Sequence, residues 1–321
     1  MAPQPQVPLQ SSTELVKVDV SVLDKHGDFV SGLTLKDFQV MDNGAPQPII
    51  HFRPVEAPAQ VLVLIETSPA VYLIHNQHLV AAYALLDGLA ADDEVAVVTY
   101  DQSPRAVMGF TADKSALLSA LGSMQYTIGM GDLNLYDSIS TVLDWIAPAP
   151  GKRALVLLTT GLDSSPPSRW DALVRKLRGS DVVIFSVGLG GALRGEQERK
   201  SKGKKNPGNP GADESGEAKA AAAAASASGF ERADGALRSL ATITGGRAYF
   251  PEREADFVPA YREVATSLRH QYVLGIAPAH DGQFHPLSVG VLDQKGQAAP
   301  ASGKKAEYRV FAREGYLAPG P

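Results

Sequence analysis

Val61-Leu62-Val63-Leu64-Ile65-Glu66-Thr67-Ser68-Pro69-Ala70 is the stretch that decides the fold. Its first five residues are apolar without a polar alternate. A short run of that kind is a strand buried on both faces, the signature of a parallel sheet covered by helices. The polar residues Glu66, Thr67 and Ser68 then bring the chain to a loop at the strand's carboxyl end, where sheets of this class place ligands. Two further runs repeat the pattern, Ala154–Leu158 and Val182–Val187, and Glu94–Thr99 adds another strand. Between the runs lie helical spacings: Ala82, Tyr83, Leu86 and Leu89; Lys114–Leu121; Leu135, Ile139, Leu143 and Ile146; and Arg169–Arg178. Ala106–Phe110 reads as an edge strand. After a break the pattern resumes with a helix over Ala233–Thr242, a strand over Gly246–Phe250 and a helix over Ala255–Leu268. Strands alternating with helices predict an α/β fold with a doubly wound, mainly parallel sheet.

Outside this region the periodicity changes. Val16, Val18, Val20 and Val22 alternate with Lys17, Asp19 and Ser21, the period of a half-buried strand. Phe38–Met41 and Ile49–Phe52 are short strands separated by Asp42-Asn43-Gly44, and Asn-Gly is a hairpin turn signal. After His270 the chain is β again, in Gln271–Ile276, Phe284–Leu292 and Glu307–Phe311. The two β ends, 13–57 and 270–316, are expected to pair into one sandwich beside an α/β domain over 58–269, because domain termini often lie close together. Residues 1–12 are expected to form a disordered tail. The stretch 195–229, rich in Lys, Gly and Ala and nearly free of large apolar residues, reads as a disordered insert.

Composition excludes several functions. The 321 residues hold no cysteine, so disulfides, thiolate metal sites and cysteine nucleophiles are absent. A net charge of -5 argues against broad electrostatic binding of nucleic acid. No run approaches the ~18 apolar residues of a transmembrane helix. Met1–Leu9 is rich in Pro and Gln and does not read as a signal peptide. No Gly-x-Ser-x-Gly elbow occurs, and Ser68 is followed by Pro69, which cannot supply the backbone donor of an oxyanion hole. Gly188-Leu189-Gly190-Gly191 lacks the third glycine of a dinucleotide loop, Leu193 standing there. His280 and His285 flank a turn and are expected to face solvent. No nucleophile–base set is visible, and the expectation is that the protein is not an enzyme.

The α/β part resembles a von Willebrand factor A (VWA) domain in Val61–Ala70, Asp132-Leu-Asn-Leu-Tyr-Asp-Ser138, Ala154–Asp163, Val182–Gly188 and Thr244–Tyr249. The flanks resemble an exported bacterial family of VWA-related proteins, of the type found in acidobacteria. They do so through Val20–Asp28, Gly32–Val40, Asp42-Asn-Gly44, Tyr272–Ile276, Asp281–His285 and Ala312–Tyr316. The resemblance implies a ligand-binding module of the cell envelope or extracellular space, with a protein partner. Many members bind through Mg²⁺, held by Asp-x-Ser-x-Ser after the first strand, a Thr on a second loop and an Asp after the fourth strand. Here those positions read Glu66, Ser68, Ala70, Leu133 and Thr160. Two of the five carry no side-chain oxygen, and Mg²⁺ demands near-octahedral oxygen ligation, so the adhesion site reads as degenerate. The expected contact residues are Glu66, Ser68, Asp132, Asn134, Thr160 and Asp163, acting without a cofactor. A remodelled metal site on Glu66, Ser68 and Asp132 is one alternative, with Mg²⁺ as cofactor. A structural scaffold with a vestigial cleft is the other.

Overall fold

The computed structural model describes residues 15–55, 58–72, 74–126, 131–195, 214–292 and 308–320. The expected tail at 1–12 lies outside them. The chain opens with four strands, β1 (Val16–Asp24), β2 (Phe38–Asp42), β3 (Ala45–Gln47) and β4 (His51–Val55). The α/β part follows: β5 (Ala59–Glu66), α1 (Pro69–Tyr72), α2 (His75–Gly88), β6 (Glu94–Tyr100), β7 (Pro104–Thr111), α3 (Lys114–Gly122), α4 (Leu135–Ile146), β8 (Lys152–Thr159), α5 (Pro167–Arg178) and β9 (Val183–Gly188). A helical turn at 190–195 precedes α6 (Glu214–Thr244), β10 (Ala248–Tyr249) and α7 (Glu254–Arg269). Four strands close the chain, β11 (Gln271–Ile276), β12 (Phe284–Val291), β13 (Tyr308–Phe311) and β14 (Gly315–Leu317).

The central sheet has the order β10-β9-β8-β5-β6-β7, parallel except for β7, which returns antiparallel along the edge. The deciding stretch is its centre: every residue of β5 is buried. Successive side chains go to opposite faces. Val61, Val63 and Ile65 pack with α2, α3 and α7 through Leu86, Leu117 and Val264. Leu62 and Leu64 pack with α4, α5 and α6 through Ile139, Leu177 and Leu240. The chain passes from β5 to β6 on one side and later to β8 on the other, so a topological switch point lies between β5 and β8.

The two β ends do pair. One sheet has the order β13-β1-β11-β4 and the other β14-β12-β2-β3. Val18 and Val20 from the first and Phe38, Val40 and Leu287 from the second share one buried core, which makes the pair a sandwich. The outward face of β1 turns to the α/β domain, where the charge of Asp19 acts on the buried Lys152 at the start of β8. Asn43 and Gly44, at φ 50° and 78°, make the two-residue turn between β2 and β3. The Asn-Gly signal is therefore real, but its partner is the short edge strand Ala45–Gln47 rather than the strand near Ile49.

Three expectations need correction. The helix expected over 233–242 runs from Glu214 to Thr244, so 214–229 is not the second half of a disordered insert. Alanine has the highest helix propensity, and extending an anchored helix avoids the cost of nucleation. The remainder of that insert, 196–213, lies outside the described residues. Tyr83 was expected on the buried stripe of α2 but is 57% exposed, the stripe being carried by Ala82, Leu85, Leu86 and Leu89. His285, expected at the surface, is buried at 8% exposure because β14 covers it.

Candidate functional site

Glu66 ends β5 at the switch point, fully buried. Among the described residues no cationic side chain pairs with it; neutral donors surround it instead. Ser68 Oγ donates to Oε1 at 2.6 Å. Thr160 N and Thr160 Oγ1 donate to Oε2 at 2.7 and 2.8 Å, and Thr159 Oγ1 lies 2.9 Å from it. Tyr100 Oη lies 3.2 Å from Oε2 and 2.6 Å from Thr159 Oγ1. A phenol has one proton. Thr159 has one proton as well, so of the Tyr100 and Thr159 hydroxyls one donates to Glu66 directly and the other donates to its neighbour or to Glu66 as well, and Tyr100 completes the same network. Burial, and then the Glu66 charge, hold the Tyr100 phenol well above its ordinary pKa.

Strand register explains the assembly. Glu66 pairs with Tyr100 across β5 and β6, and Ile65 pairs with Leu158 across β5 and β8, so three strand ends deliver Glu66, Tyr100 and Thr159 to one level. Gly161 then turns the loop at φ 75°, where a side chain would also press on Ala233 and Leu237 of α6. That turn aims both the amide and the hydroxyl of Thr160 back at Glu66.

The six expected contact residues do not form one site. Glu66, Ser68 and Thr160 come together as described. Asp163 and Asn134 belong to a second network that fixes the start of α4. Asp163 Oδ2 accepts from Tyr136 N at 2.9 Å and Oδ1 from Ser165 N at 2.7 Å, with its charge at a helix N-terminus. Asn134 Nδ2 donates to Gln102 O at 2.8 Å, tying the loop to the β6–β7 turn. Asp132 stands apart and exposed on the same face. Tyr100 and Thr159 were missed by sequence reasoning. The signal available was their position, each at the last residue of a strand flanking β5.

The donor set does not fit a divalent cation. Both Glu66 oxygens are taken by protein donors, Ala70 and Leu133 offer no side-chain oxygen, and Asp163 is engaged by backbone amides. Among the described residues no group of three or more His, Asp or Glu side chains is placed to hold a metal ion. The rest of the molecule offers a cleft of about 670 Å³ in the seam between the sandwich and the α/β domain. Four of the five cations that line it are already held: Arg153 by Ala147 O and Asp181, Lys176 by Asp144, Arg178 by Glu314, and Arg313 by carbonyls of Arg178 and Gly315, the fifth being Lys17.

Residues 61–210 match the von Willebrand factor type A domain. The central domain is VWA-like. The match covers a little under half of the chain and supports a protein-interaction or adhesion module in general. Among solved structures, the chain is similar to a von Willebrand factor type A protein from Catenulispora acidiphila, with 13% identity, a TM-score of 0.46, and 89% of this chain and 72% of that one covered. It is also similar to an aerotolerance-related membrane protein from Bacteroides fragilis, with 12% identity, a TM-score of 0.45, and 66% and 98% covered. A third is proximal thread matrix protein 1 from the mussel byssus, with 13% identity, a TM-score of 0.43, and 69% and 49% covered. No curated protein matches the chain by sequence. No helix among the described residues is long and apolar enough to cross a membrane.

Proposed function

We infer that this chain is a non-enzymatic protein-binding module whose VWA-like domain presents its strand-end face to a protein partner without a metal ion. The carrying observation is the saturation of Glu66. A metal-dependent module leaves carboxylate and hydroxyl oxygens open toward the ion. Here Ser68, Thr159 and Thr160 turn theirs inward, and the carboxylate becomes a structural pin beneath the face. Recognition then falls to what lies above it: exposed Asp132, the half-buried Asn134, and the loop that Asp163 holds in place. The buried Ser68 hydroxyl spends its proton on the Glu66 carboxylate, which supports a structural rather than a nucleophilic role for it. The resemblance of the flanking strands to exported bacterial proteins supports a place in the cell envelope or outside the cell.

The test has two parts. Thermal unfolding is expected to be the same in EDTA and in millimolar Mg²⁺, Mn²⁺ or Ca²⁺, whereas an ion at 100 times its Kd would stabilise by ~2.7 kcal/mol. A clear ion-specific shift overturns the metal-free reading. Capture of partners from an envelope extract in EDTA is expected to succeed with the wild type and to fail with Asp132→Arg. Equal capture by both moves recognition off this face. A scaffold reading is favoured by one feature, the exposed Val80 and Tyr83 on α2 (60% and 57%), and predicts that Tyr83→Ser, not Asp132→Arg, abolishes capture.

A further inference from the structure

The sandwich carries a second buried ionic cluster, far from the switch point. His285 on β12 is buried with a carboxylate at each ring nitrogen. Nδ1 lies 2.7 Å from Asp42 Oδ1 on the neighbouring strand β2. Nε2 lies 3.2 and 3.1 Å from the two oxygens of Asp281, in the turn that leads into β12. A neutral imidazole has one N–H, so it would satisfy one carboxylate and turn a lone pair on the other. The imidazolium donates to both and is the form that fits. Hydrogen bonding to Asp42, then to Asp281, accordingly holds the ring above its ordinary pKa of 6.5.

The cluster fastens more than the ring. Asp42 Oδ2 accepts from the Tyr316 hydroxyl on β14 at 3.0 Å, and that hydroxyl accepts from Ala279 N at 2.9 Å. The Tyr316 ring packs on His285 with centroids 5.2 Å apart, the two residues being paired across β12 and β14. Asn43 Nδ2, itself a donor, lies 3.0 Å from Nδ1, so the imidazolium requires the Asn43 side-chain amide to present its oxygen to the ring instead. The titratable groups facing the ring are thus Asp42 from β2, Asp281 from the turn and Tyr316 from β14. Just ahead of β14, Arg313 donates to Arg178 O at 2.9 Å and Glu314 pairs with Arg178 at 3.0 Å, both contacts reaching α5 across the seam.

We propose that His285 is a pH-operated latch: as an imidazolium it fastens β14 and the 279–283 turn to the sandwich, and its deprotonation on the alkaline side frees the C-terminal strand and loosens the seam held by Arg313 and Glu314. The direction follows from linkage. A histidine whose pKa is raised by folding contributes stability that is complete below 6.5 and is lost as pH rises through the folded value. Asp281 is lowered from 3.8 by the Gln283 amide and by His285, so its share is present above that value and lost on acidification below it. The latch is closed from mildly acidic to neutral pH.

The test uses the full chain. The His285 ring is titrated by NMR, and amide exchange of residues 315–318 is measured at pH 6 and pH 9 and corrected for intrinsic rates. The expected results are a midpoint above 6.5, a fall of about one unit in Asp281→Asn, and protection of β14 about tenfold lower at pH 9 than at pH 6 while β5 and β8 are unchanged. His285→Gln is expected to remove the pH dependence. If that variant does not fold, Asp281→Asn, altered at an exposed turn, carries the test alone. A midpoint at or below 6.5, or β14 protection that is independent of pH, overturns the proposal.

Discussion

At Glu66 a charge buried without a cation is stabilised by hydroxyls and one amide, and each of those donors is itself buried. Glu66→Ala leaves them without an acceptor, and a buried orphan donor costs about 1–3 kcal/mol. We expect a loss of about 3 kcal/mol or more in urea unfolding. Tyr100→Phe removes one hydrogen bond of the network and keeps the ring, so it should cost about 1 kcal/mol. Reversal of the two values would place the pin at the phenol rather than the carboxylate. The same residues show how far apart a metal site is. Glu66→Asp, Ala70→Ser, Leu133→Thr and Thr160→Asp together restore the oxygens that Mg²⁺ requires. That variant should acquire a Mg²⁺-dependent rise in Tm, sensitive to EDTA. How much was legible at this scale depended on whether a residue's role is local. That Ala70 and Leu133 offer no side-chain oxygen is plain from the sequence itself. The roles of Tyr100 and Thr159 and the pairing of Asp42 with His285 are not, because each depends on which strands lie side by side.

Among elements, β5 was readable because burial on both faces leaves an unbroken apolar run, and α4 because Leu135, Ile139, Leu143 and Ile146 keep strict helical spacing. β3 and β14, at three residues each, have no periodicity of their own; the strands beside them set their conformation. β8 carries a prediction. Its first residue, Lys152, is buried, and burial pushes its ammonium down to about 8 from 10.5, against the favourable charges of Asp19 and Asp93. Its Nζ donates to Leu268 O at the end of α7. Because the folded value is the lower one, the unfolded chain binds more protons between about 8 and 10.5, and this residue's contribution to stability rises with pH there. The difference in unfolding free energy between wild type and Lys152→Met, followed from pH 7.5 to pH 10, should grow in the wild type's favour. A flat difference would mean that the ammonium keeps its ordinary pKa.

Across the whole molecule, the sandwich and the VWA-like domain meet through Arg178 with Glu314 and Arg313 with the end of α5. Polar and partly exposed contacts of this kind contribute little singly, so coupling between Arg178→Ala and Glu314→Ala should stay below about 1 kcal/mol in a double-mutant cycle. The chain crosses between the two units twice, after β4 and after α7, and this shared covalent frame should make them melt in one calorimetric transition at neutral pH. Two resolved transitions would show that the units are thermodynamically independent.

The strands of the sandwich lie on both sides of the central domain in the sequence. β1 is synthesised before the central domain, yet its partner β11 emerges only after it, with Val18 opposite Leu274. Until then the valines of β1 have no sheet to join, and the open edge of the strand invites pairing with another chain. The central domain resolves this delay. Ala59, where it begins, is opposite Lys152, and Lys152 reaches Leu268, where it ends, so folding it draws the two halves of the sandwich together and closes a loop of more than two hundred residues in advance. Nascent chains stalled before β11 should therefore be the aggregation-prone species in this protein's biogenesis, and the emergence of β11 to β14 the step that makes it safe.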